Sequence, residues 1–136
     1  MVNGEEAVGL RDVCQITVLA VDHNPILLEG IAVLIRNQPD MTLVGSATSA
    51  AIAIDLHRRN LPEVTVLDLE LPRSTALAAV REILSIEPTA RIIGLTTFEL
   101  WDRSAQEALA AGVMAIVTKD RLEETLVSLI RYRLRQ

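Results

Sequence analysis

Five short aliphatic runs, each followed by a stretch with helical periodicity, leave this chain very few architectures. The runs are Ile16–Val21, Met41–Ala47, residues 64–67 closed by Asp68, Arg91–Thr96 and Ala115–Thr118. They read as strands, with the runs at 64–67 and Arg91–Thr96 buried, because apolar residues follow one another there instead of alternating with polar ones. Between them, Leu27, Ile31, Leu34 and Ile35 mark one helical face, and Ala76, Ala79, Val80, Ile83 and Leu84 mark another. An alanine-rich helix with a weaker period runs from Ser49 to about Asn60. Trp101, Ala105, Ala108, Leu109 and Gly112 share a fourth face, and Leu122, Leu126, Leu129 and Ile130 a fifth. Strand and helix alternating five times predict right-handed crossovers and a parallel α/β sheet covered on both faces. Half the residues are hydrophobic but only three are aromatic, so the core has to be aliphatic.

Punctuation supports the same division. Asn24 is a good N-cap and Pro25 a good first helical residue, while Pro39 and Pro88 bound helices. Residues 1–14 have no sustained period and read as a flexible N-terminal extension, leaving 15–136 as one domain. The net charge of −5 argues against direct nucleic-acid contact by this segment, which would need a basic face. A lone Cys14 forms no internal disulfide, and neither a signal-peptide pattern nor a membrane-length apolar run is present. The expected compartment is therefore the cytoplasm.

Polar groups gather at the strand ends. Asp22 and His23 follow the first strand, Asp68 ends the third, Thr96 and Thr97 end the fourth, and Lys119 follows the fifth. In an open parallel sheet these carboxyl ends converge on one crevice. Asp68 is ionised at neutral pH and needs no general base to act as a nucleophile. A phosphoryl group would repel it, and a hard cation plus an ammonium would offset that repulsion. Asp22 suits metal support, Lys119 a phosphoryl oxygen, and the Thr96 hydroxyl a second oxygen. Each has a plainer reading: Asp68 as turn former, Asp22 as helix-start acid, Thr96 as β-branched strand end, Lys119 as solvated surface charge. Lys119 is nonetheless the one lysine among thirteen basic residues, which favours a specific role for its compact ammonium.

The blocks Val-Leu-Ala-Val-Asp-His-Asn-Pro, Val-Leu-Asp-Leu-Glu-Leu-Pro, Gly-Leu-Thr-Thr-Phe and Ala-Gly-Val with Thr-Lys-Asp resemble, in order and spacing, the receiver domain of two-component response regulators. The NarL/FixJ-like subfamily is the nearest in pattern, and the similarity runs from about Ile16 to Leu134. The resemblance implies a doubly wound five-stranded parallel sheet of order 2-1-3-4-5 with five helices, the flavodoxin-like receiver fold. It implies Asp68 as phospho-acceptor, Mg²⁺ held by Asp22, Asp68 and the Glu70 backbone carbonyl, and Lys119 with Thr96 (or Thr97) as phosphate-binding and switch residues. It also implies a sensor histidine kinase as partner, a helix-turn-helix output domain C-terminal to this chain, and a homodimer, with no enzymatic activity beyond phosphoryl transfer on its own aspartate.

Three positions depart from the pattern. His23 replaces the second acidic residue of the metal site, and neutral imidazole is a poor ligand for Mg²⁺. Arg73, Ser74, Thr75 and Ala76 replace a glycine-rich turn, predicting a stiffer loop there. Ile116 replaces an aromatic switch residue. An atypical receiver, working as a phosphorylation-independent interaction or dimerisation module, is the competing expectation. A flavin or nucleotide enzyme would need a glycine-rich loop after the first strand, where Asp22, His23, Asn24 and Pro25 stand instead. Zinc held by Asp22, His23 and His57 lacks ligand spacing. Trp101 reads as a helix-face residue over the core in preference to an interface anchor. The arginines of the last helix, Arg131, Arg133 and Arg135, read as favouring the helix dipole.

Overall fold

A computed structural model describes residues 15–97 and 103–134. Trp101, Cys14, the 1–14 extension and Arg135 lie outside the described residues. Strands β1 (Ile16–Val21), β2 (Met41–Ala47), β3 (Val64–Asp68), β4 (Arg91–Thr96) and β5 (Ala115–Thr118) form one parallel sheet of order 2-1-3-4-5. Helices α1 (Pro25–Arg36), α2 (Ala50–Asn60), α3 (Arg73–Ile86), α4 (Arg103–Ala111) and α5 (Leu122–Leu134) connect and cover it.

Alternate strand residues feed two cores. Val18, Val64, Val66 and Ile93 pack beneath α1 and α5 with Ile31, Ile35, Leu126 and Ile130. Leu19, Val21, Leu67 and Ile92 pack with Ala53, Ala76, Ala79, Val80 and Ile83 on the other face. Each fully buried aliphatic side chain contributes about 1.5–3 kcal/mol, so these two layers carry the stability without aromatic residues. Among the described residues no helix is long and apolar enough to cross a membrane.

Helix starts follow the residues expected of them. The Asn24 side chain accepts from the Ile26 and Leu27 amides ahead of Pro25, and Ser49 accepts from the Ile52 amide. Helix α5 is clamped at its far end by Arg131. Its guanidinium donates to both Asp40 carboxylate oxygens at 2.6 and 2.8 Å and to Gln38 at 2.7 Å. That ion pair, more than the helix dipole, accounts for Arg131.

Three expectations need correction. Residues 73–76 form no loop: they are the first turn of α3, following directly on Pro72 with no side-chain cap. Proline at that point fits a helix start, since the missing N–H would have no intrahelical partner. Leu109 faces solvent on α4 while Ala105 and Ala108 are buried, so the inward stripe is narrower than the period suggested. Gly112 lies beyond the helix with φ 119°, a terminator and not a face residue. His57, by contrast, is fully buried on α2, and neither ring nitrogen has a hydrogen-bond partner among the described residues.

Two outcomes follow. A β-carbon at Gly112 would come within 2.5 Å of Leu84 Cδ1, on top of the positive φ. Gly112→Ala should therefore lower stability by about 1–3 kcal/mol in urea denaturation. Burial holds the His57 imidazole below its ordinary pKa, with the nearby Glu87 carboxylate opposing in part. The unfolded chain thus takes up the proton first as pH falls below about 6.5, and stability drops from there towards the lowered folded value. His57→Leu should flatten that part of the stability–pH curve; an unchanged slope in denaturation at several pH values would show that another group governs it.

Candidate functional site

Strand register brings distant residues to one rim. Val21 pairs with Leu67, so Asp22 and Asp68 come next to each other beyond β1 and at the end of β3. Asp68 pairs with Leu95, and Thr96 with Thr118, which places Lys119 one step past the same edge. A short 3₁₀ turn over Lys119–Arg121 then bends the chain into α5.

Asp22 and Asp68 are both fully buried, an arrangement that is costly without compensating charge and hydrogen bonds. Lys119 supplies the charge. Its Nζ lies 3.0 Å from Asp68 Oδ1, 3.1 Å from Asp22 Oδ2 and 3.7 Å from Glu70 Oε1. Backbone amides add to this: Glu70 donates to Asp68 Oδ1 at 2.8 Å, and Asn24 to Asp22 Oδ1 at 2.9 Å. The last bond shows Asp22 also shaping the entry to α1, so its plainer reading and its place at the rim coexist.

His23 closes the other side of Asp68. Its amide donates to Asp68 Oδ2 at 3.2 Å, and its Nδ1 makes a direct hydrogen bond to the same oxygen. Its side chain is 53% exposed, so the imidazole stands between the buried acid and solvent. Burial pushes the Asp68 carboxyl up, but the His23 side chain, the Glu70 amide, Lys119 and the His23 amide together hold it below its ordinary value. Burial pulls the Lys119 ammonium down, and the facing Asp68 and Asp22 carboxylates raise it above its usual value instead. Asp68 is thus a buried carboxylate held in its ionised form in a cation-lined position.

Thr96 is buried at the end of β4, whereas Thr97 is exposed and bonded to Glu70. The Thr97 amide donates to Glu70 Oε2 at 2.8 Å, and its hydroxyl donates to the same oxygen. This contact was not foreseen; an acid two residues after Asp68 and a hydroxyl after the next strand are its faint sequence signal. Ile116 is partly buried, packed against the α2–α3–α4 core beside Leu69 and Gly94. His57 has no part in the rim.

The resemblance to receiver domains implies Mg²⁺ at this rim, and the donor set can be tested against that ion. Asp22, His23 and Asp68 present ligand atoms all within 4.8 Å of one another, but one of the three is an imidazole nitrogen. Mg²⁺ demands oxygen ligands in near-ideal octahedral geometry, so this donor set is a poor match to it.

The sequence profile described as the response regulator receiver domain matches residues 18–131. The chain is 33% identical over 86% of its length to the transcriptional regulatory protein YxjL of Bacillus subtilis, spanning 53% of that protein. It is 34% identical over 76% of its length to a protein-glutamate methylesterase/protein-glutamine glutaminase of Xanthomonas euvesicatoria, spanning 30% of it. The chain therefore spans about half or less of these relatives. Among solved structures, a LuxR-family two-component response regulator from Aurantimonas superposes with a TM-score of 0.81 at 32% identity, covering 89% of this chain and 86% of that one. The response regulator domain of Thermotoga maritima CheB gives 0.81 at 26% identity, covering 90% and 98%. A five-stranded sheet of this order, with a profile match across most of its length, places the chain in the response regulator receiver domain family.

Proposed function

We propose that this receiver domain is switched by phosphoryl transfer to Asp68, and that its output is transcriptional. The observation that carries this reading is the fully buried carboxylate at the end of β3, held ionised opposite Lys119. In the transfer, an Asp68 oxygen attacks phosphorus and a P–N bond to a kinase phosphohistidine breaks, its electron pair leaving on the imidazole. The new acyl phosphate brings negative charge against Lys119, which is already placed to meet it. The Thr96 hydroxyl (or Thr97) then answers the added group and passes the change to the face formed by α4, β5 and α5. A histidine kinase fits as donor, a helix-turn-helix domain as output, and a second copy of the chain as partner. Transcriptional output is supported by the names of YxjL and of the LuxR-family structure. The CheB likeness marks a methylesterase as the other kind of output to which such a domain is joined.

A second reading has its own support. His23 holds Asp68 Oδ2 through both its amide and its ring, so the oxygen must shed a donor before it can attack. Ile116 is aliphatic and packed, without the reach of an aromatic switch. On this reading the domain is a phosphorylation-independent interaction module.

Intact-protein mass spectrometry after incubation with acetyl phosphate separates the two. The first reading expects one added phosphoryl mass, absent in Asp68→Asn and increased in His23→Ala; no addition in either the parent protein or His23→Ala would leave the interaction module standing. Lys119→Met should cost about 3–5 kcal/mol at neutral pH, because it strands two buried carboxylates. Since Asp68 has a depressed pKa, its contribution is present above the ordinary carboxylate value and is lost as pH falls through the folded one. The gap between Lys119→Met and the parent in urea melts should therefore narrow on acidification.

A further inference from the structure

We infer that the last turn of α2, from His57 to Leu61, is an acid-released latch: protonation of His57 frees the turn from the sheet and from α3 while the rest of the domain stays folded. The inference does not depend on whether Asp68 is phosphorylated.

Two unrelieved costs fall in this one turn. The first is His57, fully buried with neither ring nitrogen hydrogen-bonded among the described residues. A neutral imidazole there leaves one N–H and one lone pair unmet; a protonated one leaves two N–H groups and a charge. The second is Leu61, which closes α2 in the left-handed region at φ 45° and ψ 59°, a place usually taken by glycine. Its side chain is 54% exposed, so its packing offsets little of that strain. The Leu61 amide donates to the His57 carbonyl at 2.8 Å, which joins the strained residue and the buried ring in a single unit. Segments that combine such costs are the ones that open below the global unfolding energy.

The surroundings decide what a proton on the ring does. Helix α2 packs on β1, β2 and α3. Neither Ile16–Val21 nor Met41–Ala47 contains an ionisable residue. Thr65, beside Leu19 in register and so on the same face, has a buried hydroxyl that makes no hydrogen bond either. From α3, Glu82 is bound to Arg58 at 2.6 Å, and Arg81 lines the groove towards α4. The Glu87 carboxylate at the end of α3 favours the charged ring, and burial outweighs it. On α2 itself, Asp55 and Arg59 pair with each other at 3.0 Å on the exposed side. Glu63, beyond Pro62, accepts from the Thr17 amide at 3.1 Å. A charged His57 therefore finds no hydrogen-bond acceptor among the described residues, and reaches water only when the turn lifts out. Since the chain passes from Asn60 into β3 at Val64, this turn is at the start of the strands, and the Asp68 rim is at their other end.

The test is amide hydrogen exchange of the full chain across a series of pH values from neutral to mildly acidic, corrected for the intrinsic exchange rate. The amides of residues 57–61 should be at least about a hundredfold less protected than those of β3, because they exchange through the local opening. Below about pH 6.5 their protection should fall by up to roughly tenfold per pH unit, levelling off at the lowered value of the closed state. His57→Gln keeps a neutral polar side chain and should abolish that slope; His57→Leu, with no polar atom, gives the same comparison should the glutamine variant fail to fold. Leu61→Gly relieves the left-handed strain and should raise protection of the turn several-fold at every pH with the slope retained. Turn amides as protected as those of β3, or a slope that survives the loss of the imidazole, would overturn the inference.

Discussion

One ammonium between two buried carboxylates organises the working end of this domain. Asp22 and Asp68 are side by side because β1 and β3 are paired neighbours in register. Burial alone would work against the charged form of Asp68. Lys119, delivered from the opposite half of the sheet, makes the arrangement tolerable and ties β5 electrostatically to β1 and β3. A chain that otherwise uses arginine has a compact point charge here, which can touch three carboxylates without the planar fork of a guanidinium.

The frame of the domain was legible in the sequence because each layer obeys a local rule. Aliphatic runs became strands, buried in β1, β3 and β4 but only partly so in β2 and β5, Asn24 and Ser49 became caps, and the rim residues fell where the sheet order puts them. What escaped was decided by neighbours distant in sequence. In the sequence His57 stands only as a zinc ligand without ligand spacing, on a weakly periodic helix, and only the packing of α2 against the sheet shows that it is enclosed. Leu109 belongs to the helical period but falls outside the narrow stripe that α4 buries. Residues 73–76 lack the glycines of a turn, and the chain uses them as helix instead. At the rim, the grip of His23 on Asp68 and of Glu70 on Thr97 depends on side-chain directions that spacing does not encode.

His23 gives the site its individual character. A carboxylate in that position would add a further negative group beside Asp22 and Asp68; an imidazole instead donates to Asp68 and covers it. The same residue therefore both covers Asp68 Oδ2 and places a nitrogen among the donor atoms of the rim. These two effects have one origin, the Nδ1 atom aimed at Asp68 Oδ2.

The Arg131 clamp has a mechanical consequence. It joins the last turns of α5 to the segment leading into β2, at the end of the sheet away from Asp68, while the first turn of α5 begins beside Lys119. The helix is thus anchored at one end by an ion pair and packed along its length through Leu122, Leu126 and Ile130, so that α5 joins the Lys119 rim to the Asp40 edge of the sheet.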